Sequence, residues 1–255
     1  MTDRKKVLLV GESWVSTATH IKGFDQFPTV TFHTGQDAFE ASLEGSRFDL
    51  TVMPAHRAAA DFPLTAEGLA EWDAIVFSDI GANTLLLHPD VWLHGRPVAN
   101  RLKLVRDYVM GGGGFMMVGG YYSFQGINGG ARYRGTAIEE VLPVTIHPVD
   151  DRIEIPEGFS ADIAAPGDPI LDGLTGAPWP LLLGINEVVA KPGARVLARL
   201  PADQGGHPLL VAGTAGQGRT LAWTSDLGPH WCPKPFCDWE GYGRLWVQCL
   251  DWLAP

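Results

Sequence analysis

Cysteine is scarce in this sequence, and its three copies, Cys232, Cys237 and Cys249, all sit near one end. An odd count clustered in this way excludes a disulfide framework. Cys232 and Cys237 lie in Cys-Pro-Lys-Pro-Phe-Cys beside His230. That spacing is looser than a zinc knuckle and no second ligand pair accompanies it, so free thiols and no metal are expected. Positive charge is also thin: 19 Lys and Arg face 29 Asp and Glu, and the basic run Arg4-Lys5-Lys6 has no second. A net charge of −10 excludes nucleic acid and anionic membrane as partners. Long apolar runs are missing as well. The run that follows the first six residues is far too short for a signal-peptide core or a membrane helix, so a cytoplasmic protein is expected.

What is present fits a globular α/β chain, expected as a single domain over residues 1–255. Val7-Leu8-Leu9-Val10 is a continuous apolar run ending in Gly11-Glu12-Ser13, the pattern of a strand covered on both faces. Further strands are expected at Val30 to His33, Asp49 to Met53, Ala74 to Phe77 and Phe115 to Val118, with a helix from Gln36 to Leu43. Val98 to Met110 has helical spacing and is stopped by Gly111 to Gly114. That glycine run precedes a strand instead of following one, the wrong order for a phosphate cradle. Val144 to Ile155, Glu187 to Val189, Ala194 to Arg199, Leu209 to Ala212 and Arg219 to Thr224 read as strands separated by Gly and Pro turns. They are expected as antiparallel additions and the last strands of the sheet. Tyr242 to Leu253 is a Trp-rich helix. Strands alternating with helices imply a parallel, doubly wound sheet whose strand C-termini share one edge.

Three stretches resemble the glutamine-amidotransferase-like (GATase1-like) family. They are Gly11-Glu12-Ser13-Trp14 with His20 and Lys22-Gly23-Phe24-Asp25; Gly112 to Val144, with Gly119-Gly120-Tyr121-Tyr122-Ser123-Phe124 and Tyr133-Arg134-Gly135-Thr136; and Thr224 to Trp231 followed by Trp239-Glu240-Gly241-Tyr242. The middle stretch also resembles a domain attached to some bacterial membrane proteins with von Willebrand modules. The resemblance implies a flavodoxin-like, mostly parallel doubly wound sheet with extra β structure in the second half. In class I amidotransferases a Gly-x-Cys-x-Gly turn carries the nucleophile, and a later His-x-Glu completes the triad. Here Tyr121 stands where the cysteine would, and no His-x-Glu occurs in the second half. A neutral tyrosine hydroxyl is a poor substitute for a thiolate, so glutaminase chemistry is not expected.

Residues that directly follow strands should converge at the sheet edge although they are far apart in sequence. Glu12, Asp79, Tyr121 and His230 are the candidate catalytic residues, with Glu12 and Tyr121 expected as the nearest pair. Ser13, Trp14, His20, Ser78, Tyr122, Ser123, Asp226 and Trp231 are candidate ligand-binding residues. Asp25 is weighed with Glu12 and His20 at the first strand's exit. Each has a plainer reading: Asp79 as a helix cap, the tyrosines as space-fillers, Asp226 and His230 as a surface loop. Two functions stay open. One is a hydrolase-type enzyme acting on a small molecule at this edge, and the other a non-catalytic ligand-binding or assembly module on the same scaffold. No cofactor is expected. The expected partner is a small-molecule ligand of unidentified chemistry, with homo-oligomerisation left open.

Overall fold

Short apolar runs become the central strands of the molecule. In the computed structural model, which describes residues 4–255, the first strands are β1 (Lys5–Gly11), β2 (Ser13–Lys22), β3 (Asp25–Thr34), β4 (Phe48–Met53), β5 (Ala74–Ser78) and β6 (Gly114–Val118). The second half adds β7 (Val144–Ile146), β8 (Arg152–Phe159), β9 (Asp162–Ile163), β10 (Leu182–Asn186), β11 (Val188–Ala190), β12 (Arg195–Arg199), β13 (Pro208–Ala215) and β14 (Gly218–Trp223). Eight of them form one sheet in the order β4-β1-β5-β6-β14-β13-β12-β9. The five from β4 to β14 are mutually parallel, and β13, β12 and β9 continue the sheet antiparallel. The α/β class and the antiparallel additions of the second half are as expected from the sequence.

Alternation along β1 explains how its apolar stretch, Val7 to Val10, is stabilised on both faces. Val7 and Leu9 face one core, with Trp223 and Trp246, while Leu8 and Val10 face the other, with Phe77 and Phe115. The C-terminal helix Glu240–Leu253 covers the first face, its Trp246 ring edge-on to Trp223 at 5.4 Å. The helix Arg101–Met110 covers the second. It starts three residues later than its apolar spacing suggests, because the Asn100 side chain caps it by accepting the backbone N–H groups of Leu102 and Lys103.

Three expectations are corrected. Val30 to His33 is a strand but not part of the main sheet: β2 and β3 pair only with each other, as a long hairpin exposed along nearly its whole length. Val144 to Ile155 is not one strand. It breaks after Ile146, and β8 resumes at Arg152, beyond Asp150 and Asp151, whose carboxylates accept backbone N–H groups of the 125–128 loop. Third, β2, β9 and β10 form where no strand was expected.

The topology has one consequence for function. β1, β5, β6 and β14 lie side by side and parallel, so the segments that leave them, starting at Glu12, Asp79, Gly119 and Thr224, emerge next to one another.

Candidate functional site

The backbone turns sharply at the exits from β1, β5 and β6. Glu12 and Asp79 have φ of 49° and 44°, and Gly120 has φ of 134°. Left-handed conformations are costly for side chains with a Cβ, and such strain concentrates at functional sites. Close approach enforces the turns. A Cβ on Gly119 would overlap the carbonyl of Thr224, and one on Gly120 would lie about 3 Å from both the Asp79 and the Asp226 carboxylates. The two acids therefore flank the same glycine. The Asn186 side chain clamps the Gly120 peptide, accepting its N–H at 2.9 Å and donating to its carbonyl at 3.1 Å. Asn186 also donates to buried Asp151, which holds the N–H groups of Gln125 and Gly126.

A cavity of about 310 Å³ opens here, lined by Glu12, Trp14, Asp79, Tyr121, Tyr122, Asp226, Pro229 and His230. All four residues expected as catalytic line it, although up to 218 positions separate them in sequence. Glu12 is buried and accepts a hydrogen bond from the Ser78 hydroxyl. Burial, followed by the nearby Asp79 charge, pushes its carboxyl up to about 8, against the opposing Ser78 hydrogen bond. Asp79 rises to about 6, again mainly by burial, although it accepts the Tyr122 N–H at 2.6 Å. Its own N–H donates to the Ser123 hydroxyl at 3.1 Å. Burial thus favours the protonated form more strongly at Glu12 than at Asp79.

His230 is half-exposed and faces Asp226, whose Oδ2 accepts from Nδ1 at 2.9 Å and from the Trp231 backbone N–H at 2.7 Å. In the neutral ring with Nδ1 donating to Asp226, Nε2 is left as the acceptor. Burial lowers the imidazole pKa, but the Asp226 hydrogen bond and charge outweigh it and the net shift is upward. The Tyr121 ring packs edge-on to His230 at 4.5 Å and its hydroxyl donates to Glu154 at 3.2 Å. Glu154 also accepts from the indole of Trp231 at 2.8 Å.

Several expected members act differently from the sequence reading. Glu12 bonds Ser78, and Tyr121 bonds Glu154 and packs on His230; β5 lies between the strands that carry Glu12 and Tyr121. His20 stands far along the exposed hairpin, bonded to Thr29, and does not line the cavity. Asp25 pairs with Lys22 at the hairpin's turn. Ser13 and Ser123 use their hydroxyls on the backbone of Ala55 and Asp79. Trp231 is buried beneath the cavity and supports His230 by stacking at 5.2 Å. Asn186, Asp151 and Glu154 escaped the sequence reading. They reach the site from the second half through tertiary packing, without a local signature. Among the described residues no cysteine lines the cavity, and no group of three or more His, Cys, Asp or Glu side chains is arranged to hold a metal ion.

A family model described as putative glutamine amidotransferase, GATase1-like, matches residues 6–255. The cytoplasmic protein STM1381 of Salmonella typhimurium LT2 is 41% identical, with a TM-score of 0.92 over 98% of this chain and 100% of its own. The cytoplasmic protein STM3548 of Salmonella typhimurium is 38% identical, with a TM-score of 0.92 over 97% of this chain and 98% of its own. A ThuA-like protein of Bacteroides uniformis shares the fold, with a TM-score of 0.61 at 12% identity over 99% of this chain and 92% of its own. No curated protein matches the chain significantly. No helix among the described residues is long and apolar enough to cross a membrane.

Proposed function

For a chain that belongs to the GATase1-like family of putative glutamine amidotransferases, we propose a hydrolase-type acid–base chemistry on a small molecule, without glutaminase activity. The observation that carries this reading is the cavity that brings Glu12, Asp79, Asp226 and His230 together at the strand exits, where burial raises Glu12 to about 8 and Asp79 only to about 6. Two titrating groups pushed apart by their surroundings supply an acid and a base at the same pH. Glu12 then delivers a proton to a leaving group, and Asp79 accepts one from water or a hydroxyl. His230, held by Asp226, is the second base of the site. No Lys or Arg lines the cavity. With three carboxyl groups on its walls, it favours a neutral or cationic ligand and repels a phosphate or carboxylate.

Tyr121 in the turn after β6 and the absence of any lining cysteine support the exclusion of glutaminase chemistry. The test is to incubate purified protein with a metabolite extract and read substrate loss by mass spectrometry, beside Glu12→Gln and Asp79→Asn. Conversion by the native chain that both variants lose is the expected result. Ammonia release from glutamine by the purified protein would refute the exclusion. A metabolite that is retained but never converted would leave a non-catalytic binding module in place of an enzyme.

A further inference from the structure

The hairpin β2–β3 inverts the usual partition of side chains. Its strands pair in register over ten residues each, from Ser13↔Thr34 to Lys22↔Asp25. At roughly 3.3 Å per residue this is an arm about 30 Å long. A lone two-stranded ribbon is marginal in water unless one face is covered. The register sorts its side chains cleanly. Trp14↔His33, Ser16↔Thr31, Ala18↔Thr29, His20↔Phe27 and Lys22↔Asp25 share one face, which carries every charge on the arm. Val15↔Phe32, Thr17↔Val30, Thr19↔Pro28 and Ile21↔Gln26 share the other, which carries none. On that uncharged face Val15 is 55% exposed, Ile21 72%, Val30 70% and Phe32 49%, and Phe24 at the tip is fully exposed at 108%.

The face runs without interruption into a groove at the arm's root. Val15 and Phe32 form one wall of a cavity of about 470 Å³, and Ala59, Leu87 and Trp92 form the other. Trp92 is 71% exposed and its neighbour Leu93 66%. Together the uncharged face, the tip and the groove's rim offer on the order of 1,000 Å² of apolar surface, against the roughly 800 Å² that each partner contributes to a standard interface and the few hundred of an ordinary surface patch.

We propose that the β2–β3 hairpin is an intersubunit arm, whose uncharged face, together with the groove at its root, is buried against a second copy of this chain. Charge selects that occupant over a membrane. The chain carries a net −10, and on the arm Lys22 is offset by Asp25, so nothing draws it to an anionic lipid surface. An uncharged patch of this size on a strongly acidic body is matched by an identical patch, which adds no facing charges when it docks. Pro28 in β3 removes one backbone donor along that strand, which limits open-ended strand addition and favours face-to-face burial. The inference stands on the arm and the groove at its root and does not depend on the chemistry at the cavity.

The test is the mass of the full chain by light scattering and sedimentation at tens of micromolar. Three chains are compared: native, Ile21→Asp with Val30→Asp on the arm, and Trp92→Ser on the groove. Circular dichroism checks that each retains the native spectrum, and these positions are exposed enough for all three to fold. A native oligomer that both variants weaken by roughly tenfold or more is expected. A native chain that is monomeric throughout, or an oligomer that both variants leave intact, would overturn the proposal. So would a monomer that floats with phosphatidylcholine–phosphatidylserine vesicles. Weakening by the arm variant alone would remove the groove from the interface and overturn that half.

Discussion

The cavity at the sheet edge and the hairpin that leaves it differ in opposite ways from ordinary protein surface and core. At the cavity, Glu12 and Asp226 are charged types held under a tenth exposed, and Asp79 is only partly exposed. On the arm, Val, Ile and Phe side chains stand in water. Neither arrangement helps folding locally, since burying a carboxyl costs free energy and an exposed apolar side chain forgoes the gain of burial. The main sheet offsets both. Its two cores hold Val7 to Val10, Phe77, Met116 and Trp223 at no more than 1% exposure. A burial list is most informative where it inverts the expected partition. Here the two inversions are joined by the segment from Gly11 to Trp14.

The largest expected effect tests the cavity side of this contrast. Once a substrate is in hand, Asp79→Asn is expected to lower turnover by about 10²–10⁴-fold, the usual contribution of a positioned base. The native pH profile should be bell-shaped. Activity rises as Asp79 loses its proton near pH 6 and falls as Glu12 loses its own near pH 8. A profile flat from pH 5 to 9 would show that neither group transfers a proton.

A backbone variant should cost less in rate terms but unfold the site. Gly120→Val places a branched side chain at φ of 134° against Asp79 and Asp226. A loss of about 3 kcal/mol or more in urea unfolding is expected. A loss below 1 kcal/mol would mean that the turn relaxes freely and that the two carboxylates are not held by it.

Glu12→Gln probes the buried charge through pH. The folded-state pKa, about 8, lies above the unfolded value of 4.5, so the folded chain holds a proton that the unfolded chain has lost. Glu12 therefore supports the fold fully below about pH 4.5, and that support is lost as pH rises through about 8. The native protein should lose on the order of a few kcal/mol over this window relative to the glutamine variant. Parallel stability curves would show that Glu12 is solvated.

The smallest effect belongs to the arm. Phe24→Ser removes a side chain that packs on nothing in its own chain, so the unfolding free energy of the monomer should change by less than about 0.5 kcal/mol. A larger loss would mean that the tip folds back onto its own chain, which would collapse the contrast between arm and cavity.

How far the sequence reveals these regions follows from the range of the forces involved. β1, β5 and β6 are legible because a strand buried on both faces must be apolar throughout. Once they are placed as parallel neighbours, the convergence of Glu12, Asp79 and Tyr121 follows from geometry. The hairpin is not legible in this way. Val30 to His33 has the composition of a strand, but nothing local says whether its partner is the sheet or Ser13 to Lys22. Likewise, Asn186 sits at the end of a five-residue strand whose pattern is unexceptional, and its grip on Gly120 spans 66 positions. Glu154 reaches Tyr121 across 33 positions and Trp231 across 77. Polar contacts of that span leave no periodic trace. The expected tie of His20 to the site failed for a related reason: sequence proximity to Glu12 means little along an extended strand that carries each residue farther outward.

Trp14 belongs to both neighbourhoods, lining the acidic cavity on one side and the apolar groove on the other, with its ring stacked on His33 at 5.2 Å. If the cavity binds a ligand and the groove docks a second copy as proposed, Trp14 is where the two occupancies would be linked. Whatever factor docking at the groove applies to ligand affinity at the cavity, a bound ligand must apply to docking in return.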